Sequence, residues 1–281
     1  TPSTAIVTYI DADHLDIYKN YNSLKNAFVI FCNQVKKGGN VILNSRIYDD
    51  LKNLISSDLN IYSYGLRQSN CDFFTDNIKY QDEFCYFDLH HPKGTIKSIK
   101  YSIGGDHNLE NALAASSVAL LNGTDDTDIR TGLESFKGMV RRFDIRIKSN
   151  KIIYIDDYAH HPKEISAFLS SVKLLFKNKK ITGVFQPHLY SRTKDFYREF
   201  AESLSLCDEL ILLPIYPARE KPLPGVNSEI ILDLVKSSRK YLCNKTELLP
   251  MLAKIQPELL VSMGAGDIDQ FVKPIVKLFS K

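Results

Sequence analysis

The sequence predicts an α/β protein whose second half forms a small doubly wound sheet, and three observations lead there. Apolar runs of strand length alternate with helix-length amphipathic segments along most of the chain. The helical pattern of 23–35 ends at Gly38-Gly39 and is followed at once by another apolar run, as in a β-α-β unit. After residue 150 the alternation becomes regular, strand then helix, four times over.

Taken in order, AIVTYI (5–10) reads as a buried strand, SLKNAFVIFCNQV (23–35) as a helix and VILN (41–44) as the next strand. Between 61 and 103, short β-branched and aromatic stretches such as FCYFDLHH and GTIKSIKYSI predict an antiparallel meander. A helix follows from His107 to about Leu121. A boundary is expected where a helical segment ends near Met139 and the polar stretch RRFDIRIKSNK begins, giving domains 1–139 and 140–281. The second domain then runs strand KIIYID, helix PKEISAFLSSVKLLF, strand ITGVF, helix SRTKDFYREFAESL, strand ELILL, helix SEIILDLVKS, strand LLVSM and helix DIDQFVKPIVKLF.

Composition narrows the class. With 281 residues, 44% of them hydrophobic, the chain can bury a sizeable core. Lysine and arginine exceed aspartate and glutamate by only 36 to 33 with the signs interleaved, which argues against a nucleic-acid or membrane surface and leaves acidic small substrates open. Five scattered cysteines without a CxxC fit neither a disulfide framework nor a zinc site, and point to a reducing cytoplasm. No run approaches the ~18 apolar residues of a membrane span.

Four constellations sit where α/β proteins place chemistry, at the carboxyl ends of strands. DADHLD brings Asp11, Asp13, His14 and Asp16 together after the first strand, either as oxygen and imidazole ligands for a divalent cation or as a helix-capping turn. GGDHNLENALAASSVAL (104–120) opens a helix whose first turn carries His107, Asn108 and Asn111, a terminus suited to a nucleotide or simply a close-packing turn; Ala112, Ala114 and Ala115 would let it approach a sheet. YIDDYAHHPKEI (154–165) crowds Asp156, Asp157, Tyr158, His160 and His161 before Pro162, which starts a helix. Adjacent histidines diverge, so two separate roles are favoured over one shared metal ion, and His161 has a capping role open to it. FQPHLYSRTKDF (185–196) sets His188, Arg192 and Lys194 at a helix start, where cations oppose the dipole and imply an anionic ligand. GAGDID (264–269) lacks the last glycine of a dinucleotide fingerprint and reads as a tight turn, and no GxxxxGK[ST] loop occurs.

DADHLD, GGDHNLENALAA, KGMVRRFD, DDYAHHPKE, FQPHLYSRTKDF, IYPAREKPLPGV and SMGAGDI, in that order, resemble the ATP-dependent Mur ligases of peptidoglycan synthesis over essentially the whole chain. Within that family they are most similar to the branch that joins L-alanine to UDP-N-acetylmuramate. The resemblance implies the remainder of a central ATPase domain, beginning after its P-loop, followed by a C-terminal Rossmann-like domain. It also implies ATP and Mg2+ as cofactors and small-molecule substrates, with no nucleic-acid or membrane partner. His14 matches a magnesium ligand, Asn108 and Asn111 the adenine contacts, and Arg142 an arginine that reaches ATP from an interdomain hinge. Asp157 matches the aspartate toward the ATP ribose or phosphates, while Tyr158, His160, His188 and Arg192 match residues around the muramyl carboxylate and alanine. His160 and His188 both remain candidates for the base that takes the amine proton. Asp156 and His161 are assigned nothing beyond structure. The family pattern has arginine where this chain has Leu189, and Arg219 or Lys221 is expected to replace that charge. These residues alone are expected to be inactive. The alternatives are a non-catalytic nucleotide-binding module, or a related ligase that adds a peptide or another amino acid.

Overall fold

The alternating pattern resolves, in a computed structural model that describes residues 1–10 and 20–280, into two compact units, Thr1–Phe136 and Lys137–Lys281. The DADHLD stretch with His14 lies outside the described residues.

The first unit holds a six-stranded sheet in sequential order: β1 (Thr4–Val7), β2 (Asn40–Asn44), β3 (Asn60–Leu66), β4 (Phe73–Gln81), β5 (Phe84–His91) and β6 (Gly94–Tyr101). Helix α1 (Tyr21–Asn33), capped by the Asn20 side chain on Ser23 N at 2.9 Å, crosses from β1 to β2. The chain then makes a short helix that the sequence reading missed, α2 (Ser45–Leu51), with Asn44 as its cap. Ala5, Val7, Val41, Leu43, Ile47 and Leu51 interlock in the core beneath it.

The expected meander is antiparallel only from β4 onward; β3 and β4 are parallel. Parallel neighbours usually need a crossover of a dozen residues or more, yet here residues 67–72 suffice. Asp72 makes this possible: its Oδ2 accepts from Ser63 N at 2.7 Å and Ser63 Oγ at 2.8 Å, pulling the loop back alongside β3.

Helix α3 (Asp106–Leu121) lies against this sheet with Ala112 and Ala114 buried, whereas Ala115 is exposed because it falls on the opposite face. Helix α4 (Asp126–Ser135), with Asp125 as N-cap, completes the unit.

The second unit is also built on six strands, β7 (Asp144–Lys148), β8 (Ile153–Asp157), β9 (Ile181–Phe185), β10 (Glu209–Leu212), β11 (Arg239–Leu242) and β12 (Leu259–Met263), in the order β11-β10-β9-β12-β8-β7. All pairs are parallel except the β7 edge. The polar stretch RRFDIRIKSNK at the expected boundary supplies that edge strand. Helices α5 (Pro162–Leu175), α6 (Tyr190–Leu204), α7 (Glu229–Leu232) and α8 (Leu248–Ile255) connect the strands from β8 to β12, and α9 (Val272–Phe279) follows the last of them. The predicted helix 228–237 shrinks to one turn, since Lys240 Nζ donates to the Leu232 and Val235 carbonyls at 2.8 and 3.1 Å and ends it. Strands β8, β9 and β12 are buried along their whole length.

Candidate active site

Strand β12 sits between β8 and β9, so the carboxyl ends of three strands meet at one crevice, the place where open α/β sheets bind ligands. Glycine makes the meeting possible. A Cβ on Gly264, whose φ is +140°, would lie 2.8 Å from the Gln186 carbonyl, and one on Gly266 would lie 2.5 Å from Gln186 Oε1 and 2.7 Å from Tyr216 Cβ. GAGDID is therefore a close-packing turn, as its sequence indicated. Buried Gln186 donates to Asp267 Oδ1 at 2.9 Å and accepts from Ile268 N at 2.9 Å, while Lys245 Nζ lies 2.6 Å from both Asp267 oxygens.

His188 emerges from β9 into this crevice. Its ring stacks on Tyr216 at 5.6 Å between centroids and faces the edge of His160 at 6.3 Å. The backbone fixes the pair: Tyr216 N donates to the Pro187 carbonyl at 2.8 Å and Leu189 N to the Tyr216 carbonyl at 2.9 Å. Burial pushes the His188 pKa below the ordinary imidazole value, and the charges of Arg192 and His160 push the same way. His188 Nδ1 and Arg192 Nη1 are both buried, and neither has a hydrogen-bond partner among the described residues. Leu189 enters α6 at φ 72°, a conformation unusual outside glycine. Glu220 holds that helix start, its carboxylate accepting from Ser191 N at 2.9 Å and from the Ser191 hydroxyl. Those bonds hold the Glu220 carboxyl below its usual range. Arg219 and Lys221 beside it are exposed.

The DDYAHH segment divides its residues between support and exposure. Asp157 Oδ1 accepts from Ala159 N and Oδ2 from Phe143 N, both at 2.8 Å. Burial nonetheless raises its pKa to about 6, against those bonds and the nearby Arg142 charge. Asp156, fully buried, accepts from Arg141 Nε at 3.0 Å and from Ser262 Oγ at 2.5 Å, and Tyr154 Oη lies 2.8 Å from Ser262 Oγ. Tyr158 is part-exposed, T-stacked with His160 at 5.2 Å and facing the Arg141 guanidinium at 5.1 Å. His160 Nδ1 lies 3.0 Å from the Tyr158 carbonyl and 3.4 Å from Glu164. His161 caps α5: its Nδ1 accepts from Lys163 N at 3.4 Å, and Glu164 accepts from the backbone N–H of His160 and His161 at 3.0 and 3.1 Å.

The crevice thus gathers Asp157, Tyr158, His160, His188 and Arg192. Sequence reasoning missed Arg141, Gln186, Tyr216, Lys245 and Ser262, and gave Glu220 and Asp267 no role. All but Lys245 stand inside the quoted motifs, but their roles are spatial, since they come from five separate segments that only the fold brings together.

Asn108 and Asn111 belong to the first unit, at the start of α3. Gly105 turns the chain at φ 96°, and Asn108 Nδ2 donates back to the Gly104 carbonyl at 2.9 Å, leaving its amide oxygen directed by that bond. Asn111 is exposed one turn on. Arg67 clamps the same helix start by a bidentate pair with Asp106 at 2.8 and 3.1 Å. The donors at this terminus, two amides and a glycine turn, fit a neutral base better than a metal. Among the described residues no group of three or more His, Cys, Asp or Glu side chains is placed to hold a metal ion.

Residues 1–119 match the Mur ligase middle domain and residues 141–268 the Mur ligase glutamate ligase domain. The chain is 41% identical to the UDP-N-acetylmuramate–L-alanine ligase of Phocaeicola vulgatus, over 100% of its own length and 61% of that protein. It is 41% identical to the same-named ligase of Porphyromonas gingivalis, over 98% and 60%. Among solved structures, the UDP-N-acetylmuramate-alanine ligase MurC of Thermotoga maritima superposes with a TM-score of 0.78 at 26% identity, covering 99% of this chain and 60% of that one. A MurF ligase of Thermotoga maritima in complex with ADP shares the fold, with a TM-score of 0.68 at 16% identity over 99% and 61%. The chain spans about three fifths of the length of the curated relatives it matches. With both domain matches in chain order and covering both sheets, the chain belongs to the Mur ligase family.

Proposed function

We propose that the protein joins L-alanine to the carboxylate of UDP-N-acetylmuramate, forming an amide at the expense of ATP. The observation that carries this reading is the pair of buried nitrogens without a hydrogen-bond partner among the described residues, His188 Nδ1 and Arg192 Nη1, beyond the carboxyl end of β9. An unsatisfied buried donor costs about 1–3 kcal/mol, more when charged, and an anionic substrate group relieves it. The names of the similar ligases support the choice of acid and amine.

ATP would supply the phosphoryl group that converts the carboxylate to an acyl phosphate, leaving ADP; the amine of L-alanine then attacks the acyl carbon, the C–N bond forming as phosphate leaves and the amine gives up a proton. The chain's own residues serve the remaining needs. Arg192 neutralises the carboxylate that the reaction brings together with other anions. His188, held neutral at pH 7 by burial, is suited to accept the proton lost from the attacking amine. His160, tied to the Tyr158 carbonyl and Glu164, is better suited to holding Tyr158 and substrate in place. Asn108 and Asn111 are assigned to the adenine, Arg142 to the nucleotide phosphates and His14 to Mg2+. Asp157 serves at least to fix the Phe143 turn. The soluble substrates imply a cytoplasmic site of action, and no described helix is long and apolar enough to cross a membrane.

The test is phosphate release by the full-length protein. Turnover is expected only with UDP-N-acetylmuramate and L-alanine both present, and Arg192→Ala should raise the KM for an acidic substrate about tenfold or more. Turnover with a preformed peptide in place of L-alanine would assign the protein to another branch of the family. Phosphate release indifferent to both substrates would overturn the ligase reading. Residues 1–281 alone, which carry no GxxxxGK[ST] loop, are expected to release none.

A further inference from the structure

The segment Arg141-Arg142-Phe143 is a strained turn. Arg141 has φ 61° and Phe143 φ 49°, both in the left-handed region that bulky residues avoid. Each strained residue is pinned by one of the two adjacent aspartates. Phe143 N donates to Asp157, and the Phe143 ring is buried against Phe168 at 5.6 Å. Arg141 is pinned through its side chain, with Nε on Asp156 at 3.0 Å and Nη2 on the Gly264 carbonyl at 2.6 Å. Its own backbone is held as well, N donating to Asp144 at 3.2 Å and the carbonyl accepting from Tyr158 N at 2.8 Å. Asp156 is in turn fixed by Ser262 and, through it, Tyr154. Arg142, between the two pinned neighbours, is exposed.

We infer that Arg141 and Asp156 are positioning residues that present the Arg142 guanidinium to the nucleotide. The inference rests on the proposed nucleotide role of Arg142 and explains why two aspartates stand side by side: each anchors one flank of the same turn. A charge-bearing side chain on a free turn would sample many directions, and ordering it before binding removes that cost from the binding step.

The test measures ATP and ADP dissociation constants by calorimetry on the full-length protein, with the KM for L-alanine as control. Arg142→Ala should weaken nucleotide binding about tenfold or more, the loss of a charge-assisted contact. The pair Arg141→Met with Asp156→Asn leaves no buried charge unpaired and keeps an acceptor for Ser262, so the fold should survive. That pair should weaken nucleotide binding nearly as much as Arg142→Ala and leave the alanine KM within about twofold. Adding Arg142→Ala to it should cause no further loss. Wild-type affinity in the pair variant, or losses that multiply, would overturn the inference alone. No effect of Arg142→Ala itself would overturn the nucleotide role of Arg142 and the inference with it. Should the pair variant unfold, Arg141→Lys, which keeps the charge on Asp156 but loses the fork to Gly264, is read against the same outcomes.

Discussion

Asp157→Asn tests whether burial or hydrogen bonding governs the Asp157 carboxylate. In the folded chain burial raises the Asp157 pKa from 3.8 to about 6. At roughly 1.4 kcal/mol per unit, that shift corresponds to about 3 kcal/mol. The sign follows from linkage. Because the folded pKa is the higher one, the stabilisation is complete below pH 3.8 and is lost as the pH rises through about 6. Asparagine does not titrate, and it turns an N–H toward one of the two backbone donors now bound at 2.8 Å. It therefore carries a pH-independent cost of about 1–3 kcal/mol. Wild type should exceed the variant in stability by the largest margin in acid. The margin should shrink by about 3 kcal/mol by pH 7, with about 1 kcal/mol of the loss falling between pH 5 and pH 7. Urea unfolding at a series of pH values, followed by hydrogen exchange in peptides from β8 and β9, reads this margin for the second unit. A margin that stays constant, or that grows toward pH 7, would refute the argument that burial outweighs the two hydrogen bonds.

Three further perturbations are specific. Gly266→Ala should lower stability by about 1–3 kcal/mol, since its Cβ would meet Gln186 Oε1 at 2.5 Å, and thermal melts should show the drop. Gly132→Ala, in the interior of α4 with nothing within 4 Å, should raise stability by about 0.5–1 kcal/mol in the same melts. Glu164→Ala removes the acceptor for two backbone N–H groups at the start of α5 and should cost about 1 kcal/mol in chemical unfolding, with Glu164→Gln recovering part of it.

Long apolar runs carried the legible part of the fold. ITGVF and LLVSM appear as β9 and β12 with unchanged ends, because strands buried on both faces read as uninterrupted apolar stretches. The edges did not announce themselves. RKYL in β11 is exposed at three of four positions, and DIRIK in β7 alternates charges with isoleucines, so neither has the apolar density of a core strand. LLPMLAKI, given no element in the sequence reading, forms α8, and its Pro250 falls in the first turn, where proline is tolerated. The parallel pairing of β3 and β4 depended on one carboxylate, Asp72, that no periodicity reveals. At the site, the motifs at strand ends were visible because polar residues interrupt apolar runs there. Arg141 was hidden behind its neighbour Arg142: two identical side chains in sequence face opposite environments, one held by Asp156 and one exposed. Only the left-handed turn decides which is which.

The central place of β12 has a consequence for biosynthesis. Its flanking strands β8 and β9 leave the ribosome well before it does, for residues 186–258 separate the end of β9 from the start of β12. At about 5–20 residues per second that is a delay of roughly 4–15 s. Throughout it, two strands that the fold buries along their whole length have facing edges and no partner between them, and each is a template for pairing with another nascent chain. The second unit therefore cannot close its sheet until nearly all of it has been made, and stalled or truncated translation products that end before Leu259 should be aggregation-prone and dependent on chaperones.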